Sequence, residues 1–205
     1  MKITVCIKQV PDTEAKLEIN NASTNIDATN IKWSINPYDE FAIEEALQIK
    51  ASTQASVEVI SVGPKSRVTD ALRTALAMGA DTAICVDTPE DMFLNSSMVA
   101  QAIAAVLQKK DLPDLIFTGK LGIDYNFGLM LFRLGQELNM PVLSGVSQLE
   151  LKDKTLKATK KIDGGVKQEY SLNLPAIIGA DKGLNTPRYP NLPGIMKAKR
   201  KPIEE

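Results

Sequence analysis

The stretch VEVISVGPKSRVTDALRTALAMGADTAICV, residues 57–86, decides the fold class of this chain. It opens with a mostly β-branched run at residues 57–62, which suits a buried strand and ends at a Gly-Pro pair. Apolar side chains then recur at helical spacing over residues 67–78, and Gly79 stands where a helix C-cap is expected. A second apolar strand follows at residues 82–86. Strand, helix and strand in this order predict a β-α-β unit with two parallel strands.

The same alternation continues on both sides of this unit. The other predicted elements are strands at residues 3–7 and 115–118 and helices at residues 39–50, 95–109 and 129–139. Alternation at this pitch predicts an α/β fold of the Rossmann-like, doubly wound type, with a mostly parallel sheet and right-handed crossovers.

The pattern changes after Pro141. Short alternating segments separated by turn residues predict a β-hairpin or meander, inserted at about residues 145–172. An apolar strand at residues 175–180 completes the predicted nucleotide-binding-type α/β domain, residues 1–180. Residues 181–205 are rich in proline, glycine and basic residues, which predicts an extended C-terminal segment with a basic tail.

The residue types that are missing limit the catalytic and metal-binding sites that the chain can form. The 205-residue chain contains no histidine, which argues against histidine general acid–base catalysis, Ser-His-Asp triads and most transition-metal sites. Its two cysteines, Cys6 and Cys85, each lie inside an apolar run, where a small buried thiol is the ordinary interpretation. We therefore expect free thiols in a reducing compartment, without a zinc site or a disulfide framework.

Net charge and hydropathy indicate the kind of partner and the cellular location. A net charge of -1 gives no field that attracts nucleic acid, so the basic run KAKRK at residues 197–201 is interpreted as a solvated or protein-docking patch. No apolar run approaches about 18 residues, and the N-terminus lacks the order of a signal peptide. We therefore expect no membrane insertion and a cytoplasmic location.

Candidate ligand-binding loops follow the predicted strands, because open parallel sheets bind ligands at the carboxyl ends of their strands. Lys8 follows the first strand and suits a phosphate. The loop GKLGIDYNFG at residues 119–128 has glycines and an aspartate suited to an anion, although its spacing fits neither a Walker A motif nor GxGxxG. Asp39 fits a helix N-cap, and Tyr38 suits either ring stacking or plain packing. Each loop also fits an ordinary solvated turn, so both interpretations stay open.

Several segments resemble the β subunit of electron-transfer flavoproteins. They are VCIKQVPDTEA, INPYDEFAIEEALQIK, VISVGP, LRTALAMGADTAICV, GKLGID, KKIDGG, LNLPAII and LNTPRYPNLPGIMKAKRKPIE. The segments occur in the family's order and span nearly the whole chain. The most family-specific are residues 160–178, with Asp-Gly-Gly followed by Leu-Pro, and the run NTPRYPNLPGIMKAK.

The resemblance implies a heterodimer of an α and a β subunit. The α subunit holds most of an FAD, which accepts electrons from client dehydrogenases such as acyl-CoA dehydrogenases. This chain is then an electron-carrier subunit and not an enzyme by itself, since the flavin carries the redox chemistry. In this family the β subunit commonly holds AMP, or a second flavin in electron-bifurcating members. The residues that the resemblance assigns to cofactor binding are Cys6, Asn36, Tyr38, Asp39, Val62, Gly119, Asp124 and Gly128, with Tyr38 facing the flavin of the α subunit.

The resemblance also implies a recognition loop at residues 187–197, in which Leu192 is the apolar anchor for the dehydrogenase. The residues assigned to partner docking are Arg188, Tyr189, Leu192, Ile195, Met196 and Lys197.

The chain differs from the family pattern at two places. Where the family usually has a glycine- and glutamine-containing phosphate cradle, residues 128–132 read GLMLF, which predicts weaker phosphate binding. The family usually continues past the lysine-rich motif in an arm around the α subunit, whereas this sequence stops at Glu205. The altered residues 128–132 keep one alternative open, a divergent homologue that has lost the nucleotide and acts as a scaffold or homodimer. A nucleotide-binding sensor of the universal-stress type would share the sheet, but the match to the recognition loop argues against it.

Overall fold

An eight-stranded sheet with helices on both faces forms the core of the computed structural model, which describes residues 1–20 and 26–205. The strands are β1 Lys2–Cys6, β2 Gln9–Pro11, β3 Trp33–Ile35, β4 Ser56–Gly63, β5 Thr82–Asp87, β6 Leu115–Gly119, β7 Val142–Lys152, β8 Thr155–Lys161, β9 Lys167–Asn173 and β10 Ala176–Ala180. The helices are α1 Pro37–Thr53, α2 Lys65–Met78, α3 Ser96–Gln108, α4 Met130–Leu138 and α5 Leu192–Arg200, and a 3-10 turn lies at Asp163–Gly165.

The strand order in the large sheet is β5-β4-β1-β6-β10-β7-β8-β9. The first six strands in this order are parallel, and β7, β8 and β9 form an antiparallel meander. The chain moves from β1 outward to β4 and β5, and α3 then returns it to β6 on the other side of β1. The predicted fold class is confirmed, and the order reverses between β1 and β6.

Side chains alternate across the central strands because successive residues of a strand point to opposite faces. Val5 and Phe117 belong to the core beneath α1 and α2, whereas Cys6 and Ile116 belong to the core with α3 and α4. Burial on both faces explains why the parallel strands read as nearly continuous apolar runs. The helical layers on either side are what make the sheet doubly wound.

The structure corrects several expectations about individual elements. Asp39 is not the N-cap of α1, because Asn36 holds that position, Pro37 is the first helical residue and Asp39 lies inside the helix. The C-terminal segment is not extended throughout, since Leu192–Arg200 is helical. The hairpin of β2 and β3 was not predicted. β7 starts at Val142 and pairs in parallel with β10 before it enters the meander.

Helix α5 packs against α2 at close range. Gly194 makes this approach possible, because a Cβ atom at that position would collide with the carbonyl oxygen of Ala77. The Arg73 guanidinium on α2 donates to the carbonyl oxygens of Ala198 and Lys201, which holds the end of α5. The C-terminal segment is thus attached to the face of the sheet that α2 covers.

The last residues lie beside β5 as a short parallel bridge. Glu204 N–H donates to the carbonyl of Ala83 at 2.9 Å, and Cys85 N–H donates to the carbonyl of Glu204 at 2.8 Å. The edge of the sheet at β5 is therefore covered by the chain itself. Within residues 1–20 and 26–205, every helix falls short of the length and apolar character needed to cross a membrane.

Candidate functional site

A cavity of about 460 Å³ opens at the carboxyl ends of β1 and β6. Its walls come from the loops that follow β1, β5 and β6, from the end of β4 and from the first turns of α3 and α4. The position is the reversal of strand order, where doubly wound sheets bind their ligands. The volume lies in the range of about 300–1,000 Å³ that is usual for small-molecule sites.

Most of the predicted cofactor-binding residues lie together around this cavity. Those that line it are Cys6, Asn36, Asp39, Val62, Gly119, Asp124 and Gly128. Tyr38 is outside the lining, and the Lys120 ammonium lies 5.0 Å from the centre of its ring. The geometry brings the residues into one place, and their role in binding stays a prediction.

Asp39 fixes the wall between the two central strands. Its carboxylate accepts a hydrogen bond from Lys8 N–H at 2.7 Å and another from Gly119 N–H at 2.8 Å. Gly119 has no side chain, and a Cβ atom there would collide with Asp39 Oδ1. Burial raises the pKa of Asp39 to about 7, although these hydrogen bonds act in the opposite direction. Asp39 therefore holds the ends of β1 and β6 together with both of its oxygens.

Asn36 and Asp124 position the loop that follows β6. Asn36 Nδ2 donates to the carbonyl of Leu121 at 2.9 Å, and its Oδ1 accepts from Ile123 N–H at 3.2 Å. Asp124 pairs with the Lys8 ammonium at 2.6 Å, which joins this loop to the loop after β1. Three separate contacts thus hold the residue 119–128 loop over the cavity.

Three aromatic side chains form a rim at the cavity mouth. Phe93 meets Tyr125 edge to face with ring centres 6.5 Å apart, and Tyr125 stacks on Phe127 at 6.0 Å. The rings are 70%, 55% and 64% exposed respectively, so they present a large apolar surface to solvent. Exposed, clustered rings of this kind mark binding surfaces. None of the three was predicted as a site residue, although Tyr125 and Phe127 lie inside the predicted loop at residues 119–128.

The segment assigned to partner docking presents its apolar side chains outward. Tyr189 is 94% exposed and Leu192 is 73% exposed, and Ile195, Met196 and Lys197 are also exposed. Ala198 in the same helix is buried against the domain. Helix α5 therefore has one attached face and one free apolar face.

Arg188 differs from the other residues of this set. Its guanidinium donates to both carboxylate oxygens of Glu44, from Nε at 2.7 Å and from Nη2 at 2.8 Å. Burial alone would raise the pKa of Glu44, but hydrogen bonds from Arg188 and Gln48 outweigh it and hold the pKa below its usual value. Nearby, Asn185 donates to Glu45 at 2.8 Å. Arg188 thus anchors the segment to α1, while the apolar residues face outward.

The comparison with known proteins decides the family. The model for the Electron transfer flavoprotein domain matches residues 24–205. The chain belongs to the electron transfer flavoprotein family.

Similar electron transfer flavoprotein chains come from bacteria, plants and amoebae. The Electron transfer flavoprotein subunit beta of Bacillus subtilis (strain 168) is 37% identical over 205 residues, covering 100% of this chain and 78% of the relative. The mitochondrial Electron transfer flavoprotein subunit beta of Arabidopsis thaliana is 40% identical, covering 100% and 81%. That of Dictyostelium discoideum is 38% identical, covering 98% and 78%. The predicted family and the electron-transfer role of the β type are confirmed.

The cavity of this electron transfer flavoprotein chain suits non-covalent binding. Burial raises the pKa of the Cys6 thiol, and the nearby charge of Asp39 raises it further, so the thiol stays protonated and offers apolar contact. Among the described residues, no cluster of cysteine and carboxylate side chains could hold a metal ion. The apolar walls combined with a few fixed polar groups are typical of a site for a ring-containing small molecule.

Proposed function

We propose that this chain is one half of a heterodimeric electron-transfer flavoprotein, with an α subunit as its partner and an FAD held mainly by that subunit. The bound flavin supplies the redox chemistry, and the residues of this chain bind and position. Family membership and relatives named as subunits support this arrangement. The absence of a full dinucleotide fingerprint in this sequence supports assigning most of the FAD contacts to the partner.

The cavity is proposed to hold AMP. Its volume of about 460 Å³ and its position at the strand-order reversal are the observations that carry this assignment. Cys6 and Val62 would provide apolar and backbone contact, while Asn36 and Asp124 fix the loop that completes the site. Leu129 and Met130 line the cavity without filling it, so the apolar residues in place of the family's cradle leave room for a nucleotide.

The exposed face of residues 189–197 is proposed to dock a client dehydrogenase, such as an acyl-CoA dehydrogenase. Leu192 stands out because it is 73% exposed on a helix whose other face is attached. An apolar anchor on a rigid element loses little conformational freedom when it binds. Tyr38 is proposed to face the flavin of the α subunit.

We infer a cytoplasmic site of action for this chain. The two buried free thiols, Cys6 and Cys85, support a reducing compartment. The chain itself is proposed to carry out no bond chemistry, in keeping with its role as an electron carrier.

The test of the heterodimer compares two preparations. The chain expressed alone should be essentially colourless after purification, whereas the chain co-expressed with its α subunit should copurify with it and carry a yellow flavin chromophore in about one-to-one ratio to the heterodimer. Size-exclusion chromatography with absorption detection measures both. A stoichiometric flavin on the isolated chain would contradict the assignment of FAD to the partner, and failure to copurify would contradict the heterodimer.

A further inference from the structure

Three cationic side chains line the cavity, and two of them are neutralised by carboxylates. Lys8 pairs with Asp124 at 2.6 Å, and Lys120 pairs with Asp181 at 2.9 Å. The third, Arg133, has no carboxylate within ion-pair distance in the part of the chain that the structure describes. Arg133 is therefore the cation of the cavity wall that is available to an anionic ligand.

The position of Arg133 supports this availability. It lies at the first turn of α4, and its Nη1 is 3.4 Å from Ser97 Oγ in the first turn of α3. Ser96 and Ser97 line the same wall. A 3.4 Å contact is a weak hydrogen bond that uses one of the five N–H donors of the guanidinium, so it orients the group and leaves donors for a ligand. The guanidinium thus lies between the amino-terminal ends of two helices, both of which favour negative charge.

We propose that Arg133 is the phosphate-recognition residue of this cavity and that it selects nucleoside monophosphates over nucleosides. The inference rests on the proposed binding of AMP in the cavity and assigns its phosphate to Arg133. A guanidinium binds a phosphate through two parallel hydrogen bonds, which a lysine does not provide. The side chains of Leu129 and Met130 offer no hydrogen-bond donors to a phosphate. The guanidinium of Arg133 therefore takes the place of the polar phosphate cradle that is usual in the family.

The aromatic rim completes the specificity. Phe93, Tyr125 and Phe127 present faces and edges suited to stacking with a flat heterocycle. A ligand that combines such a ring with one phosphate matches both features of the cavity.

The experiment measures the affinity of the chain for AMP and for adenosine by isothermal titration calorimetry, since the two compounds differ only in the phosphate. For the wild-type chain, AMP should bind more tightly than adenosine. Arg133→Gln should reduce the affinity for AMP by roughly tenfold or more, because charge-assisted hydrogen bonds are strong. The affinity for adenosine should not change. Arg133→Lys should be intermediate, because it keeps the charge and loses the fork.

A matched control removes the same charge elsewhere. Arg200 is an exposed residue of α5 outside the cavity lining, so Arg200→Gln should leave the affinities for both ligands at the wild-type values. Arg133 is exposed, and a thermal melt of each variant should match the wild type.

Each outcome has a distinct meaning. If wild type prefers AMP and Arg133→Gln keeps that preference, Arg133 is not the phosphate residue and the nucleotide proposal stands. If wild type binds AMP and adenosine equally, the cavity recognises only the nucleoside and the Arg133 inference is wrong. If wild type binds neither ligand, both the proposed nucleotide binding and the inference fail.

Discussion

At the scale of single residues, the chain uses a buried carboxylate to build its cavity. Asp39 accepts from the backbone of Lys8 and Gly119, which follow β1 and end β6 respectively. Asp39 was predicted as a site residue, but its predicted role as an N-cap was wrong. An N-cap is a local signal, whereas the hydrogen-bond partners of Asp39 are 31 and 80 residues away. A long-range hydrogen bond of this kind has no periodic pattern in the sequence.

The pKa of Asp39 leads to a prediction about pH. The pKa rises from 3.8 to about 7 on folding, so between these values the folded chain retains a proton that the unfolded chain has released. The free energy of unfolding should therefore fall as pH rises through this interval. Asp39→Asn cannot ionise, and the stability of wild type relative to this variant should decrease with rising pH.

Urea denaturation of both proteins from about pH 5 to about pH 8 measures this difference. Asp91→Asn removes an exposed carboxylate outside the cavity lining and serves as the control, so its stability should change with pH as that of wild type does. Parallel stability curves for wild type and Asp39→Asn would show that Asp39 is already ionised in the folded chain.

At the scale of elements, helix α5 shows why a glycine- and proline-rich segment can still be helical. Asn191 caps the helix by accepting from Gly194 N–H at 2.8 Å, and Pro193 lies in the first turn, where a missing N–H costs nothing. Both signals were present in the sequence. The helix was missed because its stability comes from packing on α2, which a single sequence does not display.

The free face of α5 gives a prediction for Leu192→Ala. Truncation of a central apolar anchor typically costs about 2 kcal/mol, roughly thirtyfold in affinity, so the Michaelis constant for electron transfer with the client dehydrogenase should rise by about this factor. The thermal melt should not change, because Leu192 is 73% exposed. Steady-state reduction kinetics with the heterodimer provide the measurement.

Leu112→Ala is the matched control for Leu192→Ala. Leu112 is 49% exposed in the connection between α3 and β6, outside the docking segment. Its truncation should leave the kinetics unchanged. Equal effects of the two substitutions, or a lower melting temperature of Leu192→Ala, would make Leu192 a packing residue.

At the scale of the whole molecule, the C-terminal residues close the sheet at β5. Glu204 makes two backbone hydrogen bonds to this strand and a side-chain ion pair with Lys110 at 2.6 Å. The substitutions Glu204→Pro and Glu204→Gln separate these contributions. Proline removes the backbone donor and should reduce the free energy of unfolding by about 1 kcal/mol more than glutamine does. Glutamine removes only an exposed ion pair, whose contribution is small.

Urea denaturation measures the two stabilities, and size-exclusion chromatography reports any association through an uncovered strand edge. Equal stabilities of the two variants would mean that the contact at β5 contributes no stability.

Prediction from the sequence succeeded where local pattern determines structure. The parallel sheet, the helices on both faces and the cavity loops follow from periodicity and from the rule for strand ends. The contact between Arg188 and Glu44 could not be predicted, because it joins residues 144 positions apart in a charged surface that offers many equivalent partners. The aromatic rim was missed for the same reason, since Phe93 reaches Tyr125 only in the folded chain. The division of the chain at residue 180 stays a prediction.

The position of α5 on α2 has a consequence for the exchange of partners. Helix α2 begins at the carboxyl end of β4 and runs back across the sheet, so Ala77 and the contacting Gly194 lie at the amino ends of the strands. The cavity lies at the carboxyl ends of the strands, on the opposite side of the domain. With the docking role proposed above, residues 189–197 can be redesigned for another dehydrogenase around the fixed Gly194, while the cavity at the other ends of the strands is left as it is.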